Sequence, residues 1–87
     1  MDNSAELLET EGDYSLIRWF GRKFPGVLIQ GDTLSILIDI LAEARELLNA
    51  GDSEETKFVL GDLAERLGTV QSSYETMMKK AGIELPY

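Results

Sequence analysis

The side chains in this sequence that offer chemistry are carboxylates. Glu43 and Glu46 stand three apart, and Asp62 and Glu65 repeat that spacing further along. Two such pairs on facing helices could hold Mg²⁺, a hard cation that takes oxygen ligands and works on phosphate groups. Composition excludes other chemistries. The 87 residues include no histidine and no cysteine, which removes a Ser-His-Asp triad, a Cys-His pair and any imidazole or thiolate metal site. No glycine-rich phosphate loop of the Walker or dinucleotide type occurs.

Whether the carboxylates can act together depends on the helices that carry them. Leu60, Leu63, Leu67, Val70, Tyr74, Met77 and Ala81 fall at alternating spacings of three and four, the heptad seam of a helix packed on another helix. Leu34, Leu37, Leu41, Ala44 and Leu48 repeat the pattern upstream, and Asn49-Ala50-Gly51-Asp52 between the two reads as a stop followed by a start. The pattern predicts helix 1 over 33–49 and helix 2 over 53–81, joined as an antiparallel hairpin, with Leu63 and Leu67 buried against Leu37, Leu41 or Ala44. On these helices Glu43 and Glu46 lie opposite Leu37 and Leu41, and Asp62 and Glu65 avoid the Leu60–Leu67 seam. Facing seams therefore turn the acidic pairs away from each other, into water. The spacing superficially resembles that of the all-α nucleotide pyrophosphohydrolases of the MazG type, a resemblance that implies carboxylates holding Mg²⁺ within a helical bundle. The helical geometry opposes it. The expectation is a protein with no metal site, no cofactor and no enzymatic activity; a carboxylate–Mg nucleotide hydrolase is the second alternative.

The ends of the helices are marked. Asp32 or Thr33 can cap helix 1, and Asp52 with Glu55 makes a variant capping box for helix 2. Gly51 suits the position after helix 1. Lys79 and Lys80 suit the negative pole of helix 2, which Gly82 stops. The tail, 82–87, should be extended, with Ile83, Leu85 and Tyr87 as anchors.

The N-terminal third reads differently. Residues 1–12 are polar and acidic, either a frayed end or a short added element. Tyr14 to Phe20 alternates, with Tyr14, Leu16, Arg18 and Phe20 on one face and Ser15, Ile17 and Trp19 on the other, and predicts a strand. Gly21 to Gly26 is a loop around Pro25, and Val27 to Gln30 is a second strand, which makes a hairpin within 13–30. Ile36, Ile40 and Leu47 widen the apolar arc of helix 1 beyond what one helix partner needs, and the hairpin should pack there. The fold class is α+β: one domain over 1–87, an N-terminal β-hairpin packed on a long antiparallel two-helix hairpin.

Charge bounds the partners. Sixteen acidic and eight basic residues leave a net charge of −8, which repels nucleic acid and anionic membranes. No apolar run exceeds three residues, so no segment should span a membrane, and the acidic opening Met1 to Glu6 predicts no secretory signal. A cytoplasmic location follows as the expectation. Against this background Arg18, Arg22 and Lys23 cluster beside Trp19, Phe20 and Phe24. Arg18, Trp19, Arg22 and Lys23 form a candidate patch for an unidentified protein partner; the alternative makes Trp19 core and pairs the cations with the helices' own carboxylates. Gly61, Ala64 and Gly68 share a face of helix 2 and could form a groove admitting another backbone, which with the short length favours a homodimer. Phe58 projects away from the seam, toward the hairpin, the tail or a partner.

The stretch from Arg22 through Pro25-Gly26 and Gly31-Asp32-Thr33 to Leu34, with Gly82 to Tyr87, resembles a family of small uncharacterised bacterial proteins of about this length. The resemblance implies a bacterial origin and no particular activity. The functional expectation is a small non-enzymatic bacterial interaction module of the accessory or immunity type. The first alternative is an acidic inhibitor that mimics nucleic acid and blocks a basic protein.

Overall fold

The structure, a computed structural model, describes residues 4–87. Along the chain run β1 (Ala5–Glu11), β2 (Tyr14–Trp19), β3 (Gly26–Leu28), α1 (Gly31–Asn49) and α2 (Ser53–Ala81). The fold is α+β: an antiparallel sheet in the order β1-β2-β3, followed by a helical hairpin.

The hairpin expected within 13–30 is thus two strands of a three-stranded sheet. The added strand comes from the acidic segment that sequence left open as frayed end or short element; residues 1–3 of that segment lie outside the described residues. Gly12, at φ 57°, turns β1 into β2. The pairing runs Ala5 with Trp19, Glu6 with Arg18 and Leu7 with Ile17, then shifts at Leu8 and resumes at Glu9 with Leu16. This bulge explains how Leu8 comes to pack against the core while its neighbour Leu7 stays exposed.

The chain forms two compact units, each built differently. The first joins the sheet segment, up to Gln30, to Val70–Tyr87. Its core is Leu16, fully buried at 0% exposure, with Tyr74, Met77 and Met78 of α2. Tyr14, Val27, Ala81 and Ile83 close around them. The cluster around Leu16 is made by the last turns of α2 and the tail, a contribution that the heptad pattern alone does not announce. Long, flexible methionines fill the space under a small twisted sheet, where branched residues fit less easily. The Tyr74 hydroxyl donates to the Pro25 carbonyl at 2.8 Å and ties the β2–β3 loop to the helix. Past α2, the amide of Gly82 bonds to the Lys79 carbonyl and that of Ile83 to the Met78 carbonyl, the paired bonds that end a helix on a left-handed glycine. They turn Ile83 back onto Met78. Tyr87 donates to Glu75 at 3.0 Å, so the tail is held at both ends.

The second unit, Gly31–Thr69, is α1 and the first half of α2. Gly51 closes α1 with the same paired bonds, to Leu48 and from Asp52 to Leu47. Asp52 then starts α2, its carboxylate accepting from the Glu55 amide at 3.1 Å. Between the helices Leu37, Ala44, Thr56 and Val59 are buried, and Leu63 is half-buried. The seam is only half used: Leu34, Leu41, Leu48, Leu60 and Leu67 are exposed, which corrects the expectation of a buried Leu67 against Leu41. On each helix one set of heptad positions is buried, with Leu37 and Ala44 marking it on α1. The other rail of each heptad is left outside.

Candidate functional site

β2 divides its side chains between two faces. Leu16 and its partner Val27 point to the core; Ile17, paired with Leu7 and Gly26, and Trp19, paired with Ala5, point to the open face of the sheet. Leu28 and Ser15 pair on that open face as well, where Ser15 and Thr10 share a hydrogen bond of 3.2 Å. The result is an apolar surface of Leu7, Trp19 and Leu28, all exposed, and the loop after β2 adds the exposed Phe20 and Phe24. Trp19, at 47% exposure, is not core, so one half of the alternative reading of the patch is corrected.

Gly26 positions the indole. A Cβ built there would stand 3.4 Å from Trp19 Cζ3, so the six-membered ring lies directly over the glycine backbone. In the sequence Gly26 reads as a turn residue only; Leu7 and Leu28 give no sign of the surface either, because strand pairing brings them to it and an exposed leucine carries no signal of its own. A glycine cross-strand from the residue two before a tryptophan was the sign available.

The cations gather at the same end. Arg18, Trp19 and Arg22 line a shallow depression with Phe20 and the Ser4–Glu6 segment. Arg18 lies on the Leu16 side of β2, in register with Glu6, on the face opposite Trp19. Lys23 places its ammonium 5.3 Å from the centre of the Phe24 ring, within cation–π range. Among the described residues, Arg18, Arg22 and Lys23 make no ion pair; the salt bridge present joins Arg66 and Asp62 at 3.2 Å. The alternative reading, in which these cations pair with the helices' carboxylates, has no ion pair among the described residues to support it. Beneath the loop, burial pushes the Tyr74 phenol's pKa above its usual value of 10.0 and keeps it a donor to Pro25.

The carboxylates suspected of metal chemistry belong to the helical hairpin. Glu43, Glu46 and Glu65 are exposed, Asp62 is held by Arg66, and no three acidic groups converge among the described residues. Gly61 and Gly68 have nothing within 4 Å of a Cβ position, and Ala64 is exposed, so the small-residue face is open in the single chain. Phe58 is exposed at 75%. Among the described residues no helix is long and apolar enough to cross a membrane.

No curated protein and no solved structure matches the chain. A family model described as a family of unknown function (DUF6959) matches residues 1–87, the whole of the sequence. The paired bonds at Gly51 and Gly82, the Pro25 anchor and the indole over Gly26 thus describe a member of that family: the chain belongs to DUF6959, a family of unknown function.

Proposed function

We propose that this protein is a non-enzymatic interaction module whose working surface is the open face of the sheet, and that its partner is an acidic protein segment. The observation that carries the reading is an exposed Trp19 followed within four residues by Arg22 and Lys23, both unpaired among the described residues, on a chain of net charge −8. Tryptophan and arginine dominate binding energy at protein interfaces because each brings a large contact area or several fixed donors at low entropic cost. An exposed apolar patch rimmed by charge marks an interaction surface. The cations orient an acidic segment onto the indole and the phenylalanines, while the chain's own surplus of carboxylates repels that segment elsewhere. The nucleic-acid-mimic and carboxylate–Mg readings have only net charge and residue spacing behind them. A bacterial origin and a cytoplasmic location belong to the same proposal, the first from the motif resemblance and the second from a sequence without cysteine.

The test replaces Arg22 and Lys23 with glutamate together. Peptides selected against the wild-type protein from a random display library should carry acidic residues beside apolar ones. The double variant should bind them at least tenfold more weakly, with folding stability within about 0.5 kcal/mol, the range of ordinary surface changes. Selection of peptides without acidic residues, or equal binding by the variant, sinks the proposal.

A further inference from the structure

The helical hairpin has its own unpartnered face, distinct from the sheet patch. Advancing about 100° per residue, Leu34, Ile38, Leu41 and Leu48 project along one flank of α1, and Leu60 and Leu67 along the adjoining flank of α2; all six are 44 to 60% exposed. Leu41, Leu48 and Leu60 line one open groove between the helices. Six side chains at half exposure present on the order of 500 Å², already the size of the largest apolar patch on a typical monomer and more than half of the roughly 800 Å² per partner of a standard interface.

We infer that a second copy of this chain covers this face, and that two hairpins form a four-helix bundle about a two-fold axis. Three features favour a copy over a different partner. First, the flank is free of carboxylates on a chain with sixteen of them: by helical angle Glu43, Glu46, Asp62 and Glu65 fall on other sides of the helices, and the charged residue lining the groove is Arg45. A face that must meet another molecule of net charge −8 is where acid is most costly. Second, the two flanks are complementary to each other. α1 offers the bulky Leu34, Ile38, Leu41 and Leu48 around Arg45; α2 offers Leu60 and Leu67 beside Gly61, Ala64 and Gly68, where a Cβ on either glycine would meet no neighbouring group within 4 Å. A two-fold axis sets α1 of each copy on α2 of the other, large on small, twice over. Third, heptads with one rail buried and one exposed are completed by further helices of the same period. The inference does not depend on the sheet patch.

Light scattering and sedimentation of the full chain across the micromolar range test it. The wild type should run at twice the 9.7 kDa chain mass. Ile38→Glu should raise the dimer dissociation constant at least tenfold. Ala64→Trp should do the same while leaving helix content unchanged, because Ala64 is exposed in the single chain. Phe58→Ser, on the far side of α2, should leave the dimer intact. A wild type that stays at 9.7 kDa throughout, a dimer indifferent to both Ile38→Glu and Ala64→Trp, or a species larger than a dimer overturns the inference.

Discussion

Tyr74 shows how one side chain can hold two parts of a fold together. Its ring is in the core with Leu16, and its hydroxyl satisfies the Pro25 carbonyl of a residue that is itself buried. Tyr74→Phe keeps the ring and leaves that carbonyl without its donor, so it should cost about 1–3 kcal/mol in denaturant unfolding. The same bond has a pH signature. Burial raises the folded pKa above 10.0, so the neutral phenol's contribution is complete below the unfolded value and is lost as pH rises through the folded one. Stability should fall above about pH 10, and less steeply in Tyr74→Phe. None of this was legible in the sequence, where Tyr74 is simply one heptad position; the bond joins residues 49 apart, and no local pattern reports a partner at that distance. Asp52 is the opposite case. Its role as a cap was legible because the Glu55 amide it serves is three residues away.

The elements divide the same way. Both helices announce themselves through period and caps, and Gly51 and Gly82 mark their ends. β1 does not. Glu6, Glu9 and Glu11 are poor strand formers, and the bulge at Leu8 breaks the alternation that identifies a strand. Pairing with β2 makes it a strand, and that is a tertiary fact. Alternation in β2, by contrast, correctly separated Leu16 from Ile17 and Trp19. The heptad seam shows a subtler failure. Period identifies the apolar side of a helix but not how much of it one neighbour covers, so Leu67 was assigned to a core it only borders. The structure ranks the leucines instead. Leu16→Ala should cost about 2–5 kcal/mol, the range for a fully buried leucine. Leu67→Ala, measured at a concentration where the chain is monomeric, should cost under about 1 kcal/mol, since half its surface is already in water. Chemical denaturation of both variants decides it, and equal costs would contradict the half-used seam.

At the scale of the whole molecule, a chain of 87 residues has too little interior to hide its apolar side chains. The two units solve this separately, one around Leu16 and the methionines, the other along Leu37 and Ala44, and each keeps an exposed apolar face. Of the candidate site, the cations and the indole were visible in sequence as a cluster of residue types. The leucines and the glycine that make the cluster a surface were not, because they reach it through strand pairing. The proposed function has the open face of the sheet bind an acidic partner. Trp19 is the chain's single tryptophan and lies in that face, so its fluorescence is a direct readout. On titration with a selected acidic peptide, the emission should shift to shorter wavelength as the half-exposed indole is covered, the shift should saturate, and added salt should weaken it. Saturable binding that leaves the Trp19 emission unchanged would contradict it.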